Sequence, residues 1–239
     1  MNTSVGPRGT ETHQAAPYIY NQTGELVWDG NLDGYTQTMA YSVQEYQNKP
    51  VLAIWQGRFN AGGYGFGYNV LLNQSYQVVA NITTDLAGLA ADIHEFQITA
   101  NDTALLSAYN TTSMDLTPYG GPAEGYILDG LFQEVDIATG KGLFTWKSLD
   151  HVDPAECYVN PGDTGTDALA WDYFHINSVE KDFRGNYLIS SRHCHAAYYI
   201  DGTSGEVLWR LGGKNSTFTG AGSEFYYQVC PFVLFGRLR

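Results

Sequence analysis

Basic side chains are scarce in this chain. Only 12 Lys and Arg stand against 25 Asp and Glu, which gives 239 residues a formal net charge of −13 at pH 7. Proteins that bind nucleic acids or anionic membrane surfaces need clustered cationic side chains. The composition therefore predicts that neither of these is a partner.

Long apolar segments are also missing. No run of about 18 apolar residues occurs, so no segment is predicted to span a bilayer. Residues 1–16 are polar and have no apolar core of the kind that marks a secretory signal peptide. Two interpretations stay open: the natural N-terminus lies upstream, or the protein is cytosolic.

Cysteine is rare as well. The three cysteines are Cys157, Cys194 and Cys230. They show no Cys-x-x-Cys spacing and allow at most one internal disulfide. The spacing alone does not decide which pair, if any, is joined.

The acceptor sequence for N-linked glycosylation is over-represented in this chain. The acceptor sequence Asn-x-Ser/Thr covers 7 of the 14 asparagines, whereas the Ser and Thr content predicts about two by chance. The excess predicts a secreted or otherwise extracytoplasmic glycoprotein. The alternative is a Thr-rich, turn-rich chain whose acceptor sequences carry no glycan. The acceptors are Asn2, Asn21, Asn73, Asn81, Asn101, Asn110 and Asn215.

A weak repeat organises the chain. YIYNQTGELVW at 18–28, VDIATGKGLFTW at 135–146 and YIDGTSGEVLW at 199–209 each read as strand, Gly turn and strand ending in Trp. A degenerate copy without Gly or Trp lies at 71–82. Short strands joined by Gly turns, with no helical period, predict an all-β fold of antiparallel β-propeller blades. We expect the Trp residues to pack between neighbouring blades.

Residues 171–213 form the most complete unit. Strands are predicted at 172–180, 186–191, 196–201 and 207–211, with a tight Gly-containing turn at 182–185. Four short strands in sequence indicate one antiparallel sheet of hairpins rather than a βαβ unit. This unit also holds the densest polar chemistry in the chain.

Several titratable side chains lie close together in that unit. His175 opens its first predicted strand, and Arg192 ends the second, which the hairpin lays beside the first. An Arg offers a planar fork of donors that suits sulfate, phosphate or carboxylate. The pattern is therefore typical of an anion site. The alternative is that Arg192 pairs with a local acid while the histidines end strands.

A second histidine stands at the same place in its strand as His175 does. His94, in DIHEFQI at 92–98, stands at the entry of its own predicted strand, as His175 does. The first strand of each propeller blade lines the central channel, so equivalent positions on successive blades converge there. We therefore expect His94 and His175 to meet near Arg192 in a concave site. A purely structural role for His94 is the alternative.

Three motifs carry a family resemblance. DIHEFQI at 92–98, DYFHINSVEKDFRGNYLISSRH at 172–193 and YIDGTSGEVLWRLGG at 199–213 resemble the arylsulfotransferase family, the aryl-sulfate sulfotransferases (ASST) and their fungal relatives. The resemblance implies a six-bladed β-propeller. It also implies transfer of a sulfuryl group from an aryl sulfate to a phenol acceptor through a transiently sulfated histidine. It implies no cofactor.

The resemblance assigns roles residue by residue. His94 and His175 match the two auxiliary active-site histidines of the family, and Arg192 matches its arginine. A possible substrate-binding role falls on four further residues of the same stretch. These residues are Asn177, Ser178, His193 and His195.

One departure concerns the nucleophile. The family places its nucleophilic histidine after the WRLGG segment, in a run of the type F-x-x-Q-H-D. Here Phe225 and Gln228 fit that run, but Val229 stands in place of the histidine. The sequence therefore assigns no nucleophile and predicts no turnover. We interpret 18–228 as a partial propeller of about four blades, between a poorly ordered segment 1–17 and an aberrant tail 229–239 of a C-terminally truncated sequence.

Other functions stay open at this point. One is a non-catalytic secreted propeller that binds phenolic or sulfated ligands or another glycoprotein. Another is a quinone-dependent dehydrogenase-like propeller, whose blades carry similar TG…W turns but which requires eight blades and an acidic calcium site. A metal site built from His175, His193 and His195 is a further alternative, although the favoured interpretation contains no metal.

Overall fold

The computed structural model describes residues 16–35, 37–220 and 224–227. Within these residues the regular structure consists of β-strands and three single-turn 3₁₀ helices, Thr117–Tyr119, Ser148–Asp150 and Pro154–Glu156. The strands are β1 Tyr18–Tyr20, β2 Leu26–Asp29, β3 Thr38–Tyr46, β4 Lys49–Phe59, β5 Gly65–Leu72, β6 Val78–Ile82, β7 Phe96–Ile98, β8 Thr103–Met114, β9 Gly125–Asp136, β10 Gly142–Lys147, β11 Ile176–Lys181, β12 Tyr187–Ser191, β13 Ala196–Ile200 and β14 Val207–Gly212.

The strands pair only with their neighbours in sequence. They form an N-terminal hairpin, β1–β2, and three four-stranded antiparallel sheets: blade 1 (β3–β6), blade 2 (β7–β10) and blade 3 (β11–β14). Consecutive four-stranded meanders are the building units of a β-propeller. The predicted all-β, incomplete-propeller fold is confirmed. The described residues hold three four-stranded blades and a hairpin, where the sequence predicted about four blades.

The sequence repeat falls on the same place in each unit. Its copies coincide with the last two strands of blades 2 and 3, with the degenerate copy on β5–β6. The first copy coincides with the N-terminal hairpin, where Ile19 pairs with Trp28. The hairpin therefore corresponds to the two outer strands of a blade.

The apolar cores lie between successive sheets. One core packs the hairpin on blade 1, a second packs blade 1 on blade 2, and the largest packs blade 2 on blade 3. The largest includes the fully buried aromatic residues Phe132, Trp146, Tyr173, Phe174 and Tyr187. Each such side chain contributes about 1.5–3 kcal/mol when it leaves water. Face-to-face stacking of the blades is therefore the main source of stability.

Two repeat tryptophans connect one unit to the next. Trp146 at the end of blade 2 donates its Nε1–H to the carbonyl of Gly205, in the last turn of blade 3, at 3.0 Å. Trp28 stacks on Tyr76, in the last turn of blade 1, with ring centroids 5.1 Å apart. Trp28 and Trp146 are buried as expected, whereas Trp209 is only half-buried.

Blade 3 differs from its predicted strands at one end. Its first strand begins at Ile176 rather than at residue 172. The preceding segment bends, and His175 takes a φ of 55°, a left-handed conformation that non-glycine residues rarely adopt. The other three strands agree with the prediction within a residue. This bend places the side chains described below.

Among the described residues, no helix is long and apolar enough to cross a membrane.

Candidate functional site

The entries of the first strands of blades 2 and 3 lie against each other. His94 precedes β7 by two residues, and His175 directly precedes β11. Their imidazole centroids are 4.7 Å apart, and their planes cross at 75°. The two histidines therefore lie together, as the sequence predicts.

Each of these imidazoles is held by an aspartate. The Nδ1 atom of His94 lies 2.6 Å from Oδ2 of Asp92, and the Nδ1 atom of His175 lies 2.5 Å from Oδ2 of Asp172. A carboxylate acceptor keeps a hydrogen on Nδ1 and leaves Nε2 as the nitrogen that can take up or give away a proton. Both rings thus present the same nitrogen for chemistry.

The Asp92 carboxylate is ionised in spite of its burial. Burial raises the pKa of Asp92, but the hydrogen bond and charge of His94 and the backbone N–H groups of Gly65 and His94 outweigh it and lower this pKa. Gly65 donates to Oδ1 at 2.7 Å, and the Ser107 hydroxyl reaches Oδ2 at 3.2 Å. Asp92 is therefore a fully engaged acceptor that keeps His94 in one orientation.

His193 joins the cluster from the turn after β12. Its ring centroid is 4.8 Å from that of His175, and its Nδ1 donates to the Asp172 carbonyl at 2.7 Å. Burial lowers the pKa of His193, the charges of His175 and Arg192 lower it further, and Asp172 opposes them. Because Nδ1 is used in this way, Nε2 is the nitrogen of His193 that a ligand can reach.

Arg192 lies beside this cluster and is exposed. Its backbone N–H donates to the carbonyl of His175 at 2.9 Å. Its guanidinium carbon lies 5.7 Å from the ring centroid of Tyr227. Its backbone thus joins the His175 segment, while its guanidinium packs on a tyrosine that also contacts the ring of His195.

Tyr109 forms a wall behind the two blade-entry histidines. This residue of β8 is 2% exposed, and its ring centroid lies 6.5 Å from that of His94 and 6.2 Å from that of His175. Its hydroxyl donates to the Ile176 carbonyl at 3.2 Å. Tyr109 therefore fixes the carbonyl of the residue that follows the left-handed His175.

Sequence reasoning missed three residues of the site. Asp92 and Asp172 carried a signal, because an Asp stands two or three residues before each histidine. Tyr109 carried none, since it is one of 18 tyrosines and lies within a regular strand.

Asn177 and Ser178 lie in β11 next to the cluster and are buried. The Ser178 hydroxyl is 2.8 Å from the hydroxyl of Ser190 on the paired strand. Ser178 is therefore engaged within blade 3. A substrate-binding role for these two residues stays a prediction.

His195 belongs to a separate environment. Its ring stacks on Tyr158 at 4.4 Å and meets the edges of Tyr226 and Tyr227 at 5.2 and 4.6 Å. Burial lowers the pKa of His195. The neighbouring Cys194 forms a disulfide with Cys157. His195 thus sits in a tyrosine cage beside this disulfide.

One group of potential metal ligands occurs in the described part of the chain. Asp172, His175 and His193 each offer one ligand atom, and these atoms lie within 4.8 Å of one another. The alternative metal site proposed from the sequence is thus corrected. Asp172 takes the place of His195, whose ring contacts are with tyrosines.

The sequon asparagines differ in exposure. Asn21, Asn81, Asn101 and Asn215 are exposed, and Asn73 and Asn110 are half-buried. Asn2, Cys230, Gln228 and Val229 lie outside the described residues, as do 1–15 and the tail 229–239.

A family profile described as Arylsulfotransferase (ASST) matches residues 42–229. The chain belongs to the arylsulfotransferase family. The matched region contains both blade-entry histidines and Arg192, so the resemblance carried by the three motifs is confirmed. No curated protein matches the chain.

Two solved structures resemble this arylsulfotransferase-family chain at a low level. A protein of unknown function from Bacteroides caccae is 13% identical over 87% of this chain and 71% of its own, with a TM-score of 0.33. The Dos1 propeller is 12% identical over 85% of this chain and 54% of its own, with a TM-score of 0.37.

Proposed function

We propose that this chain binds the sulfate group of an aryl sulfate at His94, His175 and His193, beside Arg192. We also propose that it does not turn the ester over, because Val229 stands where the family has its nucleophile. The observation that carries the proposal is the meeting of His94 and His175 from two blades at 4.7 Å, each anchored by its own aspartate.

The arrangement suits a sulfuryl group for an electrostatic reason. A transferring sulfuryl group spreads negative charge over three oxygens, and preorganised donors aimed at those oxygens stabilise it. The Arg192 guanidinium is permanently charged and planar, which matches a tetrahedral oxyanion. Its exposure keeps it within reach of a ligand that enters from solvent.

The imidazoles supply proton chemistry at the same place. An imidazole whose Nδ1–H is held by a carboxylate can take a proton at Nε2 from an entering phenol and return it to a leaving phenolate. Asp92 and Asp172 keep His94 and His175 in that tautomer. In this chain we assign these two residues to charge stabilisation and proton holding, and His193 to sulfate contact.

The test uses a chromogenic aryl sulfate, 4-nitrophenyl sulfate. We expect calorimetry to detect binding while absorbance records no release of 4-nitrophenolate, with or without phenol. His94→Ala should weaken binding about 10- to 100-fold, because a hydrogen bond to a charged group contributes about 1.5–3 kcal/mol. His151→Ala is the matched control, since His151 stacks on Trp146 outside the cluster.

Two results contradict this proposal. Sustained nitrophenolate release by the 239-residue chain would show that turnover does not need a histidine at position 229. Binding that His94→Ala leaves unchanged would favour the binding-module alternative. A redox assay with added quinone and calcium tests the dehydrogenase alternative, for which we expect no activity.

We further propose that the protein is an extracytoplasmic glycoprotein. Four sequon asparagines are exposed, and the Cys157–Cys194 disulfide is typical of oxidising compartments. Expression through a secretory pathway should give a product whose mass falls on treatment with peptide N-glycosidase. An unglycosylated product with free thiols would contradict the proposal.

A further inference from the structure

A glycine-rich hairpin of blade 1 packs against the segment that carries His94. This hairpin joins β4 to β5, and its sequence is GGYGFG at 62–67. Gly65 donates its backbone N–H to Oδ1 of Asp92 at 2.7 Å. The other oxygen of the same carboxylate, Oδ2, lies 2.6 Å from Nδ1 of His94 and accepts the His94 backbone N–H at 3.0 Å. Blade 1 therefore holds the aspartate that orients His94.

A second contact from blade 1 reaches the same segment three residues before His94. Gly67 and Ala91 form an antiparallel bridge, with two N–H···O distances of 2.9 Å. The indole Nε1–H of Trp55, on β4, also donates to the Ala91 carbonyl, at 3.0 Å. The Trp55 side chain is fully buried. Blade 1 thus fixes the backbone that leads into His94 as well as the aspartate beside it.

The glycines of this hairpin are required by lack of space. A Cβ atom on Gly65 would lie 2.6 Å from Cγ2 of Ile93 and 2.8 Å from Cζ2 of Trp55. On Gly67 it would lie 2.2 Å from the Gln56 carbonyl oxygen. Cβ atoms do not approach other atoms within 3.0 Å, and neither glycine has a positive φ. The absence of side chains at these two positions therefore permits the close approach to the His94 segment.

The Gly65 N–H has no substitute at the carboxylate. Asp92 is 1% exposed, and Gly65 is the one donor to its Oδ1 among the described residues, since the Ser107 hydroxyl and His94 bond to Oδ2. A buried carboxylate oxygen without a donor is strongly disfavoured. If the Gly65 donor is lost, the carboxylate must turn or take up a proton. Either change releases Nδ1 of His94.

We propose that Gly65 and Trp55 of blade 1 are positioning residues for His94. They act through Asp92 and Ala91 rather than by touching a ligand. The site between blades 2 and 3 therefore depends on a third sheet. The effect on the imidazole follows from these contacts alone, whereas any effect on ligand affinity rests on the proposed sulfate binding.

His175 provides an internal reference. Its Nδ1 lies 2.5 Å from Oδ2 of Asp172. In the described part of the chain no donor of blade 1 reaches Asp172, whose Oδ1 has no hydrogen-bond partner there. A change in blade 1 that acts by positioning should therefore alter the tautomer of His94 and leave that of His175 as it is.

The experiment records which imidazole nitrogen carries the hydrogen. In ¹⁵N-edited spectra at about pH 9, where imidazoles are neutral as a rule, the unchanged protein should show His94 and His175 with hydrogen on Nδ1. Gly65→Ala should shift His94 towards the form with hydrogen on Nε2 and leave His175 unaltered. Trp55→Phe, which adds no atom, should act in the same direction and carries the test if Gly65→Ala does not fold.

Ligand affinity and a matched control complete the test. Calorimetry with 4-nitrophenyl sulfate should show about 5-fold weaker binding by Gly65→Ala, as expected for one lost hydrogen bond. The control is Gly30→Ala, directly after β2, where a Cβ atom would lie 2.3 Å from Cγ of Pro17. It crowds the fold in a similar way and should change neither the His94 tautomer nor the affinity.

A double-variant cycle separates positioning from a general loss of stability. Gly65→Ala should weaken binding much less in an Asp92→Asn background than in the unchanged protein, because both changes act on one contact. Additive losses would overturn the proposal. So would an unchanged His94 tautomer in the folded variants, or an equal shift in Gly30→Ala. If the tautomer shifts as expected while the unchanged protein does not bind 4-nitrophenyl sulfate, only the proposed function fails.

Discussion

The imidazole of His94 stands nearly perpendicular to that of His175, with the two centroids 4.7 Å apart and the residues on different blades. Neither ring is placed by its own strand. Each is placed by an aspartate just before it and by the packing of one sheet on the next. The site therefore depends on contacts within two short segments and on the angle between blades 2 and 3.

Tyr109→Phe tests how tightly the segment that carries His175 is held. The change removes the hydrogen bond to the Ile176 carbonyl and keeps the ring that packs on both histidines. We expect the free energy of unfolding to fall by about 1 kcal/mol. We also expect several-fold weaker binding of 4-nitrophenyl sulfate, measured by calorimetry, because the left-handed His175 loses a constraint.

The matched control for this change is Tyr119→Phe, which removes an exposed hydroxyl 3.3 Å from Asp153. It should leave ligand affinity unaltered. If Tyr109→Phe lowers stability and leaves affinity the same, then Tyr109 supports the fold and does not position His175.

Glu134 anchors a polar network between blades 2 and 3. Its carboxylate accepts from Lys181 Nζ at 2.5 Å, from the Thr103 hydroxyl at 2.7 Å and from the Tyr187 hydroxyl. Glu134→Gln should lower the free energy of unfolding by about 1–3 kcal/mol at pH 7 in urea titrations. The exposed Glu206→Gln is the control and should have no measurable effect.

The same network predicts a pH dependence. Burial raises the pKa of Glu134, but the hydrogen bonds from Lys181, Thr103 and Tyr187 outweigh it, so this pKa is lowered overall. A lowered carboxyl pKa gives stability that is present above the unfolded value and lost as the pH falls through the folded value. The difference between wild type and Glu134→Gln should therefore shrink below about pH 4.5. A constant difference down to pH 3 would contradict this assignment.

The carboxyl group of Glu95 should make the free energy of unfolding depend on pH in the opposite direction. Burial raises the pKa of Glu95 to about 7, which the backbone N–H groups of Val179 and Phe96 oppose and Glu180 reinforces. Stability from a raised carboxyl pKa is present below the unfolded value and lost as the pH rises through about 7. From pH 5 to pH 8 the wild type should lose on the order of 1–3 kcal/mol relative to Glu95→Gln.

Urea titrations at the two pH values measure this difference. Gln at position 95 keeps an oxygen to accept the Val179 N–H, which lies 2.9 Å from Oε2. The exposed Glu25→Gln serves as the control. Parallel stability curves for the wild type and Glu95→Gln would show that Glu95 is ionised throughout this range.

Trp146→Phe tests the connection between blades 2 and 3. The indole donates to the Gly205 carbonyl and packs near Phe132 and Phe174 in the largest core. The change should cost about 1–3 kcal/mol of unfolding free energy, from one hydrogen bond and a lost portion of ring. Trp209 is half-buried and stacks on Tyr199 of its own blade, so Trp209→Phe should lower the free energy of unfolding by less. Thermal melts of both variants measure the difference.

The strands of blade 3 were predictable because their signals are local. Gly185 supplies the positive φ of the turn before β12, and Gly205 supplies that of the turn before β14. Alternating β-forming residues between such turns leave little choice of structure. The start of β11 was wrong because the bend at His175 is stabilised by Tyr109, which is distant in sequence.

The candidate site was predictable only in part. The positions of His94 and His175 at equivalent strand entries indicated that they meet, and the family motifs added Arg192. The separation of His193 from His195 was not predictable, because it depends on the turn that the Cys157–Cys194 disulfide ties to a distant loop. Through-space partners of this kind leave no periodic trace in the sequence.

The indole of Trp146 acts at a distance from the chemistry. It sits on the outermost strand of blade 2, three strand spacings from β7, or about 14 Å at 4.7–4.9 Å per strand. At that lever length, a tilt of about 4° between the blades moves the paired imidazoles by about 1 Å. Loss of the hydrogen bond from Trp146 to Gly205 should therefore shift ligand affinity, although neither residue contacts the imidazoles.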